Sequence, residues 1–215
     1  MTRIFMIRHG QSIANFIGKF AGHSDFDLTD LGHHQASLAA DYLFEREKID
    51  KIYASDLLRA YNTAVAFSKV YGLDITPSDQ LREIYAGKWE GLSFDEIAEK
   101  FPRDFGDWMN DFSNARCTEG ESVAEIYERV VKYVCQIAEE NDGKCILIAT
   151  HATVVRAFNC FAMGYDADRM ADVSFCGNAA LNYFIYENGK ATIEKSNINE
   201  YLGDLATEVP EKIRA

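Results

Sequence analysis

Only 3 of the 215 residues are proline, and no proline- or glycine-rich stretch, internal repeat or low-complexity segment interrupts the chain. A break into two folding units is therefore not expected, and residues 1–215 read as one domain. Long apolar runs are also missing, which excludes a helical membrane span. Positive charge is the scarcer sign: 22 Lys and Arg stand against 34 Asp and Glu, for a net charge of −12. So acidic a surface repels nucleic-acid backbones and anionic membranes, arguing against either as a partner. The 5 cysteines (Cys117, Cys135, Cys145, Cys160 and Cys176) are odd in number and widely spaced. They form neither a zinc-binding pattern nor a disulfide framework, and read as reduced thiols of a cytoplasmic protein. The first residues pass directly into a strand-like run from Arg3 to Arg8, leaving no room for a signal peptide. The polar tail after Leu202 is the one stretch that reads as disordered.

Three apolar runs end abruptly in polar residues. Ile4-Phe5-Met6-Ile7 meets Arg8-His9-Gly10, Lys51-Ile52-Tyr53-Ala54 meets Ser55-Asp56, and Cys145-Ile146-Leu147-Ile148-Ala149 meets Thr150-His151. Short continuous apolar runs suit central strands covered on both faces. Helical spacing follows over 31–46, over 57–71 with Ser55 or Asp56 as N-cap and Gly72 as stop, over 122–140, and over 153–163. Asn188-Gly189 between 181–186 and 191–195 is a hairpin signal. The pattern predicts an α/β fold: a three-layer sandwich with a mainly parallel central sheet. The segment from about 89 to 121 breaks the alternation and reads as a small inserted cap.

In open α/β sheets ligands gather beyond the C-terminal ends of the strands. Arg8 and His9, the stretch Ser55 to Arg59, and His151 all fall there. This grouping concentrates positive charge inside an acidic protein, and it suits phosphoryl transfer. Arg8 and Arg59 offer planar forks for phosphate oxygens. Arg59 sits in a first helical turn, and the N–H of Ala152 opens another, where backbone donors favour anions. Of two histidines, one can attack phosphorus while the other donates to transition-state oxygens. A carboxylic acid is then needed for the leaving oxygen.

The series Phe5-Met6-Ile7-Arg8-His9-Gly10-Gln11-Ser12 with Asn15, then Gly22, Leu28-Thr29, Gly32 and Gln35-Ala36, resembles the histidine phosphatase superfamily, the phosphoglycerate mutase-like family. The likeness continues through Ser55-Asp56-Leu57-Leu58-Arg59-Ala60, Leu81-Arg82-Glu83-Ile84 with Gly87 and Trp89-Glu90-Gly91, Gly120-Glu121-Ser122 and Thr150-His151. It implies His9 as the phosphorylated nucleophile and Arg8, Arg59 and His151 as the phosphate pocket, with Asn15 at its edge. It implies Glu83 as proton donor, and Ala21, Gly22 and His23 on a loop that meets the rest of a small phosphate ester. Neither a metal nor an organic cofactor is implied. Ala152-Thr153 departs from the glycine that follows the second histidine in many relatives, which bears on the substrate rather than the reaction. The run from Leu81 to Gly91 looks like the phosphatase branch, which favours hydrolysis.

Other readings compete. A phosphoglycerate mutase would use the same phosphohistidine chemistry, and a non-catalytic module would bind phosphorylated ligands without turnover. Glu90 competes with Glu83 as the acid, and Glu83 itself could serve as a salt-bridge partner beside Arg82. His33 and His34 read as solvated. Phe94, Phe101, Phe105, Trp108 and Phe112 fit packing better than a substrate pocket. Phe175 and the C-terminal hairpin could bury a homodimer interface or pack on the domain.

Overall fold

A computed structural model describes residues 1–207. The chain opens with β1 (Thr2–Arg8), a single turn α1 (Ile13–Phe16) and α2 (Asp30–Phe44). Then come β2 (Lys51–Ser55), α3 (Leu58–Tyr71) and β3 (Ile75–Ser78). Two short helices, α4 (Phe94–Lys100) and α5 (Pro102–Asn110), precede α6 (Val123–Glu140), β4 (Cys145–Thr150) and α7 (Ala152–Ala162). The hairpin of β5 (Leu181–Glu187) and β6 (Lys190–Ile198) follows.

The strands form one six-stranded sheet in the order β3-β2-β4-β1-β5-β6. Its first four members are parallel, and the hairpin adds antiparallel at β1. Side chains alternate across the sheet. Ile4 and Met6 join Ile146 and Ile148 on one face, where α6 and α7 contribute Val130, Val134 and Phe158. Phe5 and Ile7 join Ile52 and Leu147 on the other, against Ala39 and Leu43 of α2 and Phe67 of α3. The sheet is thus the middle of three layers. Asn188 and Gly189 both hold positive φ, 52° and 76°, as a tight hairpin turn requires.

The segment between β3 and α6 feeds the first core. Trp89, Ile97, Trp108 and Phe112 are buried in it, with Phe101 and Phe105 packed alongside. Packing is therefore a real role of the aromatic collection. Strand β3 has no counterpart in the sequence reading. It is an edge strand of four residues containing Pro77, and an edge is where a sheet tolerates a residue without an N–H.

The start of α3 corrects another expectation. Leu57 occupies the N-cap, with no side-chain cap of its own. The N–H of Leu58 instead donates to Asp25 Oδ1 from a distant loop, at 2.7 Å. Ser55 Oγ accepts from Leu57 N at 3.3 Å and from no N–H within α3 itself, and Asp56 is paired with Arg82. At the other end of the chain, the tail after Leu202 begins in a 3-10 turn over Glu200–Leu205. Residues 208–215 of that tail lie outside the described residues.

All five cysteines are free: Cys117, Cys145, Cys160 and Cys176 are buried and Cys135 is half-buried. Burial pushes every thiol up, to about 11 for Cys160 and Cys176 and about 12 for Cys145. No helix among the described residues is long and apolar enough to cross a membrane.

Two glycines let the loop after β1 lie against the start of α2. A Cβ on Gly32 would stand 2.1 Å from Gln11 O, and one on Gly10 would stand 2.3 Å from Gly32 O. Both obstacles are backbone, so neither can swing aside. Gly32→Ala is expected to destabilise the fold by about 1–3 kcal/mol, as overpacked cores do. A urea midpoint equal to that of the unsubstituted protein would show that this approach is not required.

Candidate active site

Parallel pairing brings three strand ends into one place. Arg8 ends β1 opposite Thr150, which ends β4. The N–H of His9 then donates to Thr150 O at 2.9 Å. Ser55 ends β2, and its Oγ lies 2.8 Å from Nε2 of His151, the N-cap residue of α7. The chain past His9 is held tightly: Gly10 N donates to Thr63 Oγ1, and Thr63 Oγ1 donates to Arg59 O at 2.8 Å. Arg59 is thereby tied through its own helix to the loop that carries His9.

The His9 tautomer follows from a single contact. Its Nδ1 lies 2.7 Å from Gly10 O, and a carbonyl can only accept. In the neutral ring the proton is on Nδ1, so Nε2 keeps its lone pair. Burial, and then Arg59 and Arg8, hold the His9 pKa well below the ordinary histidine value. His151 is lowered likewise, by burial first and then by Arg59 and His9. Its ring stands edge-on to that of His9, with centroids 5.3 Å apart. Nδ1 of His151 is buried without a hydrogen-bond partner among the described residues.

Both arginines are anchored by carbonyls. Arg8 Nη1 donates to Cys176 O at 2.7 Å, and Arg59 donates to Gly22 O at 2.7 Å and Ser24 O at 3.0 Å. Among the described residues neither forms an ion pair with a carboxylate, and burial lowers both, Arg59 to about 10. They remain cations at neutral pH, and the Glu83 carboxyl group shares their cavity. Buried, carboxylate-free guanidinium groups of this kind make a site that favours an anion.

Arg8, His9 and Arg59 line a cavity of about 190 Å³, together with Asn15, Ala21, Gly22, Glu83 and Ala152. The carboxylate of Glu83 accepts from Ile84 N at 2.8 Å and from Thr153 N, in the first turn of α7, at 3.3 Å. Arg82 does not claim it, being paired with Asp56. Glu90 is engaged elsewhere, accepting from His23 N and Ser24 Oγ, and it does not line the cavity. Asn15 Oδ1 accepts from Ser12 N, Ser12 Oγ and Asn178 Nδ2, so a ligand contact would fall to its amide nitrogen.

Two expected site residues stand apart from this lining. His151 lies in contact with His9 rather than on the cavity wall. His23 turns to a separate surface groove, its ring tilted against that of Tyr85 and its Nε2 on Glu83 O at 2.9 Å. His33 and His34 are exposed. Among the described residues no group of three or more His, Cys, Asp or Glu is placed to hold a metal ion.

The model of the histidine phosphatase superfamily (branch 1) matches residues 4–199 of the chain. The chain belongs to that family. Among its relatives, phosphoserine phosphatase 1 of Hydrogenobacter thermophilus is 31% identical over 213 residues, covering 99% of this chain and 100% of that protein. Of solved structures, a mycobacterial glucosyl-3-phosphoglycerate phosphatase with VO3 superposes with a TM-score of 0.83 at 26% identity, over 91% of this chain and 98% of that one. The α-ribazole phosphatase of Shigella flexneri gives a TM-score of 0.82 at 25% identity, over 92% and 96%.

In this histidine phosphatase several cavity residues carry no motif that would have marked them. Asn178 donates to His9 O at 3.1 Å and to Asn15, and Thr207 Oγ1 donates to Asn178 Oδ1 at 2.9 Å. Phe20, Phe94, Trp108 and Phe175 form an aromatic side of the cavity. Phe94 and Trp108 therefore serve both packing and the cavity. Phe175, read from sequence as a possible interface residue, belongs to the cavity lining.

The two depressed histidines set a pH dependence. Their folded values lie below the unfolded value of about 6.5, so below that pH the unfolded chain binds more protons. The stability these two groups contribute is present in full above about pH 6.5 and is lost as pH drops beneath it, by up to about 1.4 kcal/mol per pH unit for each histidine. Denaturant unfolding between pH 7.5 and 5 should show this slope, and His9→Asn should lessen it. An identical slope in that variant would remove His9 from the account.

Proposed function

We propose that the protein hydrolyses small phosphate monoesters in two steps through a phosphohistidine at His9. The observation that carries this reading is the contact of His9 Nδ1 with Gly10 O, which leaves Nε2 free in a cavity lined by Arg8, Arg59 and Glu83. In the first step Nε2 attacks phosphorus in line. The P–N bond forms, the ester P–O bond breaks, and Glu83 gives its proton to the departing oxygen. In the second step water attacks phosphorus, the P–N bond breaks, and Glu83 takes the proton from water. Arg8 and Arg59 neutralise the phosphoryl oxygens, His151 supports them from beside His9, and the N–H of Ala152 adds a donor.

The charge needed at phosphorus comes from side chains, so no metal is assigned a step. Relatives named for phosphoserine, glucosyl-3-phosphoglycerate and α-ribazole phosphate support a small phosphorylated metabolite as substrate. Asn15, Ala21 and Gly22 line the same cavity as Arg8, His9 and Arg59. The aromatic side formed by Phe20, Phe94, Trp108 and Phe175 favours a leaving group with an apolar face. His23, by its position, contributes to the acid's setting rather than to substrate contact.

A panel of phosphate monoesters assayed for phosphate release in the presence of EDTA tests the reaction class. Release is expected, and its absence with every ester would refute the proposal. His9→Ala is expected to lose both turnover and acid-labile phosphate labelling while unfolding at a similar temperature. Glu83→Gln should slow esters with poor leaving groups by about 10²–10⁴-fold, the range of a general acid, and p-nitrophenyl phosphate far less. Equal losses for both esters would disprove the acid assignment.

A further inference from the structure

The stretch that carries Glu83 has no regular secondary structure. Residues 82–86 belong to neither helix nor strand, although the acid needs a fixed position relative to His9. Buried backbone polar groups outside helices and sheets need partners from elsewhere. Here α6 supplies many of them through one side chain. Arg129 Nη1 donates to Gln80 O at 2.8 Å and to Arg82 O at 3.0 Å, and Nη2 donates to Glu83 O at 3.4 Å. Its other edge holds Glu121 in a two-point pair, Nε to Oε1 at 2.9 Å and Nη2 to Oε2 at 2.8 Å.

Glu121 returns to the same stretch from the other side. Its N–H donates to Tyr85 O at 2.8 Å, and its Oε2 accepts from Tyr85 N at 3.1 Å. Gly120 permits that approach, since a Cβ there would stand 2.3 Å from Tyr85 O. Upstream, Thr150 Oγ1 donates to Leu81 O at 2.7 Å. On the flank, His23 Nε2 is the second donor to Glu83 O, at 2.9 Å. The main-chain carbonyls of Gln80, Leu81, Arg82, Glu83 and Tyr85 are all engaged, three of them by one guanidinium.

We infer that Arg129, locked by Glu121, is a positioning residue for the Glu83 carboxyl group. Arg129 does not line the catalytic cavity and lies in a separate groove, with His23. A planar group with five donors can span several carbonyls and a carboxylate at once, whereas a lysine ammonium, with three donors at one point, cannot. The Arg129–Glu121 pair is partly buried, with side chains 18% and 15% exposed. It is therefore better placed to hold the stretch than the surface pairs elsewhere on the molecule. An acid displaced by about 1 Å loses on the order of 10²-fold in rate. The loss should fall on the step that uses the acid. This inference rests on Glu83 being the proton donor.

The test compares β-glycerophosphate, a poor leaving group, with p-nitrophenyl phosphate, which leaves with little protonation. Arg129→Met is expected to lower kcat for β-glycerophosphate by about 10- to 100-fold and to spare p-nitrophenyl phosphate to within about threefold. Arg129→Lys and Glu121→Gln should shift the ratio of the two rates in the same direction. They decide the question if Arg129→Met does not fold. In a Glu83→Gln background, adding Arg129→Met should change that ratio by no more than about twofold, because the two residues act through one group. Equal slowing of both esters by the Arg129 and Glu121 variants would reduce the pair to general scaffolding and overturn the inference. So would an additive effect in the double variant. A Glu83→Gln enzyme that slows both esters equally is a separate failure, of the acid assignment itself, and the positioning role falls with it.

Discussion

Burial of two guanidinium groups, with no carboxylate among the described residues paired to either, is the constraint around which the molecule is arranged. Arg8 and Arg59 are taken out of water and anchored by the carbonyls of Cys176, Gly22 and Ser24. Carbonyl anchors fix their direction without cancelling their charge. The remaining attraction is left for an anion, and the same charges add to burial in holding the His9 pKa down. One arrangement thus provides both the affinity for phosphate and the free lone pair that attacks it. The acidic surface elsewhere does not oppose this, because a Debye length of about 8 Å at physiological ionic strength screens distant exposed charges.

Holding two such charges apart demands a stiff frame, and the parallel sheet supplies it. The ends of β1, β2 and β4 are fixed relative to one another by ladder hydrogen bonds, so the positions of Arg8, Ser55 and His151 are set by pairing register. The Glu83 carboxyl group, in contrast, reaches the same point from outside the sheet on irregular backbone. There, side chains take over the task that ladder bonds perform elsewhere. The molecule contrasts a site half built on strands with a half built on a braced loop.

Much of this was legible in the sequence, and for physical reasons. Apolar runs such as Ile146 to Ala149 signal buried strands because both faces are covered, and the residues just beyond such strands are where ligands gather. The helix 122–140 was readable from Ser122 and its spaced valines, and Asn188-Gly189 from the positive φ values the turn demands. Strand β3 was not readable, since four residues containing a proline make a weak periodic signal. The cap of α3 by Asp25 is a long-range contact that no local pattern encodes. Asn178 and Thr207 reach the cavity from loops late in the chain, where only folding makes them neighbours of His9. His23 sat in a suggestive place, but its backbone and ring were claimed by Glu90 and the Glu83 carbonyl.

The scattered thiols take on a different meaning once the layers are known. Cys145 lies in the core beside α2 and α3, Cys160 and Cys176 in the opposite core, and Cys117 in the segment that packs against the Glu83 stretch. Because burial keeps all of them protonated and covered, each reacts with an alkylating reagent only when its own surroundings open. The chain therefore carries a built-in set of clocks. Their separate labelling rates would report whether the braced loop, the helix layers and the sheet come apart together or one at a time.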